Sequence, residues 1–442
     1  MRLDESLAAA TVYAQPTGFE NFRGHIDTAW IEECLCATGF ASLRRRRLPA
    51  ELVIWLVLAM ALFRDRSIDY LVANLDIVLP SGRRPPARSS VADARQRLGD
   101  EPLKYLFNTS ATEWATRSAD AHRWHGLALY GVDGTTLRVP DTTENRATFG
   151  SASGARGDGG YPLVRLVVLM ALRSHVLRAA RFGPYRTSEL ELARQLWSAV
   201  PDDALTIVDR GFLSAADLIA LERTGKNRHW LTRAKKDTHY RVVENLAPGD
   251  DIVEIEVNRA ARIKNPDLPL VWRLRAIGYH HQGSPPSVLL TSLTDAARFP
   301  AKELIALYHE RWELELGYDE IKTHLLAREE SIRSKTPTGV RQEIWGQLLA
   351  YNLVRLEIER VAAVIRIEPT RLSFVNALRL IRAEWEWTNL AAPGAIPKHL
   401  RDLDYQLALL VLPPRRADRL FPRAVKIKMS NYPRKRSPGS KA

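Results

Sequence analysis

Two stretches of this sequence decide its fold class: LALYGVDG at residues 127–134 and ALTIVDRG at residues 204–211. Each is a short apolar run that ends in an aspartate, Asp133 or Asp209, with a glycine one or two residues later. Short apolar runs bounded by turn residues are typical of buried β-strands. A carboxylate at the end of a strand beside glycine is a common way to build a divalent-metal site, and an ordinary turn is the alternative.

Further strand-like and helical patterns surround these two stretches. YPLVRLVVLMAL at 161–172 and NRHWLTRA at 227–234 are strand-like, and helical spacing occupies 188–200 and 214–223 between the strands. Strands that alternate with helices predict an α/β sheet. Over residues 235–299 helical spacing is replaced by alternating strand-like segments, which predict a β-rich insertion.

These changes of pattern divide the chain into five parts. We predict a helical N-terminal domain, two parts of an α/β core on either side of the insertion, and a C-terminal region: residues 1–125, 126–234, 235–299, 300–386 and 387–442. In the first part we predict helices at 26–38, 48–63 and 67–74. A basic helix ending at Leu98 is either part of a helix-turn-helix motif or an ordinary surface helix.

The 442 residues carry a formal net charge of +13, from 64 Lys and Arg against 51 Asp and Glu. Residues 413–442 hold ten basic residues and one acidic residue, so nine of the thirteen charges lie in this tail. A basic excess favours a polyanionic partner such as nucleic acid, and a flexible solubilising tail is the alternative.

The composition also excludes several classes of protein. With 45% hydrophobic residues the chain is not wholly disordered, and its longest apolar run, at 52–63, is shorter than the ~20 residues of a membrane-spanning helix. Its two cysteines, Cys34 and Cys36, lack a second pair of metal ligands nearby and favour structural thiols over a zinc site. We therefore expect a cytoplasmic protein without a membrane partner.

The segment LIALYHERWELELGYDEIKTHL lies within a predicted helix at residues 302–326. At about 100° per residue, a stripe about 60° wide contains Tyr308, Arg311, Glu315 and Lys322. The carboxylate of this stripe suits a metal ion, whereas the phenol, guanidinium and ammonium groups suit phosphate. A charged stripe that faces solvent is the alternative.

The spacing Tyr308-x2-Arg311-x3-Glu315-x6-Lys322 resembles the YREK signature of the DDE transposases of bacterial insertion elements, in particular the insertion sequence four family. The segments GVDGTTLRVPDTTEN and TIVDRGFLS, around the two aspartates, are similar to the other acidic motifs of that family. FGSASGARGDGGYPLVRLVVL at 149–169 is also similar to a family segment. The motifs occur in the family's order, with the β-rich segment between the second and third acids.

The resemblance implies a ribonuclease H-like mixed sheet with helices, in which Asp133, Asp209 and Glu315 are both the catalytic residues and the metal ligands. Three ionised carboxylates repel one another and repel phosphate. Two divalent ions, Mg²⁺ or Mn²⁺, would remove this conflict as the cofactor.

The resemblance also implies how DNA is bound. Tyr308, Arg311 and Lys322 would contact DNA beside the metal site, with further contacts from the N-terminal domain and the basic tail. The partner would be double-stranded DNA, both the inverted-repeat ends of the element and the target, held by a homodimer in a synaptic complex. Trp230 and Trp272 are the candidates for a tryptophan that stacks on a base.

The activity implied is metal-dependent cleavage at terminal inverted repeats, followed by transfer of the 3′-hydroxyl ends into target DNA. Two alternatives share the same fold. One is a non-catalytic DNA-binding relic of a transposase, and the other is a ribonuclease H-like nuclease that cuts DNA without joining it.

Overall fold

The structure, a computed structural model, describes residues 24–40, 48–74, 87–152, 160–280, 286–327, 331–388 and 396–413. The basic tail from residue 414 onwards and most of the glycine-rich segment 150–160 lie outside the described residues. Within the described ranges, no helix is long and apolar enough to cross a membrane.

The described part of the N-terminal region is helical, as its spacing predicts. Its helices are α1 (Thr28–Ala37), α2 (Ala50–Leu62), α3 (Ile68–Asn74), α4 (Arg88–Leu98) and α5 (Glu101–Asp120). Helix α2 has the sequence AELVIWLVLAMAL, and every residue from Leu52 to Leu62 is buried. A helix that is apolar on all sides must be enclosed by other elements.

The first five strands form a mixed sheet: β1 (Ala128–Arg138), β2 (Leu163–Ala171), β3 (Leu177–Pro184), β4 (Ala204–Val208) and β5 (Arg228–Arg233). Strands β1, β2 and β3 form an antiparallel meander, whereas β4 runs parallel to β1 and β5 runs parallel to β4. The connecting helices are α6 (Thr143–Phe149), α7 (Glu189–Arg194) and α8 (Ala215–Arg223). The predicted alternation of strands and helices is confirmed.

The region 235–299 is β-rich as predicted, with β6 (Arg241–Ala247), β7 (Asp250–Glu256), β8 (Val271–Tyr279) and β9 (Ser287–Thr291). It also contains a short helix that the pattern does not predict, α9 (Arg259–Lys264). Strand β9 pairs antiparallel with β5, so the described strands form one sheet in the order β3-β2-β1-β4-β5-β9-β8-β7-β6. The region therefore extends the central sheet.

The chain returns to helices after β9: α10 (Ala301–His309), α11 (Trp312–Asp319), a π-helical turn (Glu320–Leu325), α12 (Pro337–Ile365), α13 (Phe374–Thr388) and α14 (Ile396–Ala408). The prediction of one regular helix over 302–326 is wrong. Around Glu310 the backbone amides bond three residues back instead of four, as in the 2.9 Å bond from Glu310 N to Leu307 O. This tightened turn separates α10 from α11.

Helices α2 and α12 approach closely at Gly346. A Cβ atom at this position would lie 2.5 Å from Val57 Cγ1 and 3.3 Å from the carbonyl oxygen of Val57. Glycine within a helix normally destabilises a protein relative to alanine. Its presence here lets the apolar helix α2 pack directly on α12.

We therefore expect Gly346→Ala to lower the free energy of unfolding by about 1–3 kcal/mol, because the added methyl group overpacks the α2–α12 contact. The measurement is equilibrium denaturation in urea. Val364→Ala is the matched control, since Val364 lies in the same helix with 74% of its surface exposed, and a change within about 0.5 kcal/mol is expected there. A gain in stability for Gly346→Ala would contradict the packing described.

Candidate active site

Asp133 and Asp209 are neighbours because of strand register. Parallel strands β1 and β4 pair residues 128–132 with residues 204–208, and the last pair is Val132 with Val208. Asp133 and Asp209 are the next residue on each strand. Since neighbouring strands lie about 4.8 Å apart and paired residues point to the same face, the two carboxylates are adjacent. Strand β4 ends at this point, and Asp209 begins a 3₁₀ turn.

Asp133 is held by its backbone as well as by its strand. Its Oδ1 accepts a 2.8 Å hydrogen bond from the amide of Gly134, and its carbonyl oxygen accepts a 2.5 Å bond from the hydroxyl of Tyr318 on α11. Burial raises the pKa of Asp133 to about 6, against the lowering effects of the Gly134 amide and the Arg311 guanidinium. The carboxylate of Asp209 adds to the rise, which shows that the two aspartates share one electrostatic environment.

Helix α11 brings Glu315 to the edge of this strand pair. A Cβ atom at Gly131 of β1 would lie 2.7 Å from Leu314 Cδ1, so only glycine admits the helix this closely. Leu314 precedes Glu315, and Tyr318, bonded to Asp133, lies one turn further along. Glu315 is half-exposed and accepts a 2.9 Å hydrogen bond from Arg311 Nη2. Among the described residues, no three His, Cys, Asp or Glu side chains lie close enough together to hold one metal ion.

Tyr308 and Arg311 complete the site from the end of α10 and the turn after it. Burial raises the pKa of Tyr308 to about 12, so its phenol stays protonated and can donate a hydrogen bond. The charges of Arg311 and Asp209 also act on this phenol, which places the three groups together. Hydrogen bonding to Glu315 and the charges of Glu315 and Asp209 raise the pKa of Arg311 against its burial.

Lys322 lies in the π-helical turn, where the residues wind differently from those of an α-helix. The uniform 100° per residue used to draw the stripe therefore does not hold over its last residues, and the place of Lys322 on the stripe stays a prediction. The stripe is correct for Arg311 and Glu315, whose side chains form an i,i+4 ion pair.

Comparison with known proteins identifies the family. Residues 16–108 match the family model described as insertion element 4 transposase N-terminal. Residues 124–353, just over half of the chain, match the model described as transposase DDE domain.

The chain belongs to the IS4 transposases. It is 40% identical to the transposase InsG for insertion sequence element IS4 of Escherichia coli (strain K12) over 410 residues, or 92% of each chain. It is also 38% identical to the InsZ protein of the same strain over 252 residues, or 56% of this chain and 83% of InsZ. The resemblance stated from the sequence is confirmed, and the protein is a DNA-cleaving and DNA-transferring enzyme of a family that uses divalent metal ions.

A solved structure of the piggyBac transposase in a synaptic complex with hairpin DNA aligns with 90% of this chain and 85% of its own chain. The sequence identity is 11% and the TM-score is 0.41.

The sequence pattern does not reveal several residues beside the acids of this IS4 transposase. A Cβ atom at Gly134 would lie 2.6 Å from the carboxyl carbon of Glu189, so Glu189 crosses β1 next to Asp133. Arg165 Nη1 donates a 2.6 Å hydrogen bond to Glu189. In the sequence, the only sign that another side chain packs against β1 at this point is Gly134, the glycine that follows Asp133. Trp312, in the first turn of α11, is 51% exposed, and the Arg311 guanidinium lies over its ring. The spacing of apolar residues in the sequence does not distinguish this exposed tryptophan from a core tryptophan.

Trp230 and Trp272 belong to the core. Both are buried, and their rings pack against each other with centroids 5.0 Å apart. The indole nitrogen of Trp230 donates a hydrogen bond to Glu222. The prediction that one of them stacks on a base is therefore wrong, because neither ring has a face exposed to a DNA base in this structure.

The two cysteines of α1 lie in different environments. Cys34 is buried and Cys36 is exposed, and both thiols are free. Burial raises the pKa of Cys34 to about 12, so this thiol stays protonated and acts as a small apolar core residue.

We expect Tyr318→Phe to slow DNA strand cleavage at saturating DNA and to lower the free energy of unfolding by about 1 kcal/mol, because the Asp133 carbonyl loses its bond to α11. Single-turnover cleavage and urea denaturation measure the two effects. Tyr405→Phe is the matched control, since Tyr405 is 68% exposed on α14. Equal cleavage rates for the two variants would show that the Tyr318 bond does not support the site.

Proposed function

We propose that this transposase cleaves DNA at the terminal inverted repeats of an insertion element and transfers the 3′-hydroxyl ends into target DNA. In this proposal Asp133, Asp209 and Glu315 are the catalytic residues and the metal ligands. The observation that carries it is the β1–β4 register, because the pairing of Val132 with Val208 sets the first two acids side by side.

We propose that the sheet is ribonuclease H-like. Two features support this assignment. The sheet consists of an antiparallel meander followed by two parallel strands, and one aspartate lies on β1 while another lies where β4 ends. The proposed division of the chain keeps residues 1–125 as a DNA-binding domain and 126–234 with 300–386 as the catalytic core. Residues 235–299 remain an insertion by sequence position, although their strands continue the sheet.

The donor set fits Mg²⁺ or Mn²⁺, because hard cations prefer carboxylate oxygens and Mg²⁺ commonly takes only one or two carboxylates together with substrate phosphates. Asp133 and Asp209 would hold the ions, and Glu315 would join them by giving up its hydrogen bond to Arg311. Bound ions of this kind activate an attacking oxygen and stabilise the leaving oxygen. Tyr318 meanwhile keeps Asp133 at a fixed position on its strand.

Phosphate recognition is assigned to Tyr308, Arg311 and Lys322. A guanidinium that leaves its carboxylate partner can bind phosphate through two parallel hydrogen bonds, and a protonated phenol donates one more. Double-stranded DNA is the partner, and we propose a homodimer in the synaptic complex, since two ends must be joined in one reaction. The protein would act on DNA in the cytoplasm of its host.

We expect Asp133→Asn, Asp209→Asn and Glu315→Gln each to abolish Mg²⁺-dependent cleavage of an inverted-repeat duplex while binding of the duplex persists, because each removes one anionic ligand. Glu101→Gln is the matched control, as Glu101 is an exposed carboxylate paired only with Lys104 among the described contacts. Binding by the wild type without any metal-dependent cleavage would favour the DNA-binding relic. Cleavage without joining in a strand-transfer assay would favour the nuclease.

For Lys322→Ala we expect weaker binding of the element's end at every salt concentration. The slope of log affinity against log salt should fall by about 1, as for one lost phosphate contact. Fluorescence anisotropy over a salt series measures both quantities. Lys226→Ala should leave them unchanged, because Lys226 is exposed and precedes β5 at the end of the sheet away from Asp209. An unchanged slope for Lys322→Ala would remove this residue from the proposed DNA contacts.

A further inference from the structure

A network of buried polar groups lies on the side of α11 away from Glu315. His175, in the turn between β2 and β3, is 1% exposed and has a left-handed backbone with φ of 66°. Its Nε2 lies 2.8 Å from Glu313 Oε2, and its Nδ1 lies 2.6 Å from Arg355 Nη2. Because arginine can only donate, Nδ1 accepts this bond, and Nε2 therefore carries the proton that goes to Glu313.

Glu320, the first residue of the π-helical turn, is the second point of attachment. Its carboxylate accepts bonds from Tyr351 Oη at 2.8 Å and from Arg355 Nε at 3.0 Å, both on α12. Burial alone would raise the pKa of Glu320, but the charge of Arg355 and its hydrogen bonds to the carboxylate outweigh burial in bringing it down to about 2. The carboxylate is therefore ionised, and it is bound from α12.

The two attachment points flank the acid of the active site. Glu313 and Glu320 are seven residues apart, which is about two turns, so they share one face of the helix. Glu315 lies about 200° around the helix from Glu313, on the opposite side. Hydrogen bonds at two levels of one face fix both the rotation of α11 about its axis and its position along that axis. The position of Glu315 is thereby fixed as well.

Directional bonds are needed for this purpose. Apolar contacts such as Leu314 against Gly131 hold α11 on the sheet, but they tolerate small rotations. The attraction within a buried ion pair is largely offset by the cost of removing both charges from water, so the pair of Glu320 and Arg355 adds little net stability. What the pair adds is geometry, because a planar guanidinium accepts only a narrow range of carboxylate orientations.

We propose that His175, Glu320 and Arg355 are positioning residues of this transposase, which set the orientation of Glu315 and of the turn that carries Lys322 without contacting DNA. The inference rests on the proposed function for the role of Glu315. The contacts themselves involve no residue proposed as a metal ligand or as a DNA contact.

The test uses His175→Asn in the full chain. Asparagine adopts positive φ with little strain, so the turn can be retained while the bridge from Arg355 to Glu313 is lost. His125→Asn is the matched control. His125 also has positive φ, 46°, and also contacts a glutamate, Glu303 Oε2 at 2.9 Å, but it precedes β1 at the end of the strand away from Asp133.

Three measurements separate positioning from general loss of structure. For His175→Asn we expect end-DNA affinity within about two-fold of the wild type and single-turnover cleavage at saturating DNA at least about ten-fold slower. Hydrogen–deuterium exchange should become faster over residues 312–325 and stay unchanged in β1 and β4. The control should change none of the three. Arg355→Lys should resemble His175→Asn, because an ammonium cannot reproduce the two-sided guanidinium contact.

Several results would overturn the inference. These are cleavage by His175→Asn within about two-fold of the wild-type rate, exchange that is unchanged over 312–325, or exchange that rises equally throughout the sheet. Failure of the proposed function is a separate outcome, because cleavage by Glu315→Gln at the wild-type rate would remove the catalytic assignment. The exchange data would then still decide whether the network holds α11.

Discussion

The parallel pairing of β1 with β4 forces two carboxylates into adjacent positions, and the surrounding structure offsets the resulting repulsion. Backbone bonds hold the first acid in place: the Gly134 amide binds the Asp133 carboxylate, and Tyr318 binds its carbonyl. Arg311 supplies positive charge to both aspartates while it is bonded to Glu315. The described site thus combines several carboxylates with the Arg311 guanidinium, whose charge acts on both aspartates.

Helix α12 connects this site to the N-terminal region. Its middle is buried on nearly all sides, and it contacts α2 through Gly346 and the π-helical turn through Tyr351 and Arg355. Its Glu343, 1% exposed, accepts a 2.5 Å hydrogen bond from Arg64, just after α2. The N-terminal helices and the central sheet therefore share one core, so a perturbation of the α2–α12 contact can reach α11 through α12.

The sequence predicts most of the elements, because strand ends and helix spacing are local properties. By motif it also names Asp133, Asp209 and Glu315, although periodicity alone left a turn or a solvent-facing stripe as alternatives. The β1–β4 register brings the two aspartates together, whereas Glu315 is bonded to Arg311 and, among the described residues, does not join them in a group close enough to hold one metal ion. The sequence does not predict the break at Glu310 or the π-helical turn, since the groups that bind Glu313 and Glu320 come from the β2–β3 turn and from α12. Burial is equally non-local, which is why Trp230 was an open candidate for stacking on a base.

The continuation of the sheet through β9 limits how the β-rich region can work. Residues 231–233 of β5 pair with 289–291 of β9, and β5 also pairs with β4, the strand that ends at Asp209. Arg275 and Asp250, joined by two 2.6 Å hydrogen bonds, tie β8 to β7 in the buried interior of the extension. A region joined to β4 by consecutive backbone ladders cannot swing toward DNA as a separate body. Any contact it makes with DNA must therefore come from surfaces already fixed relative to Asp209.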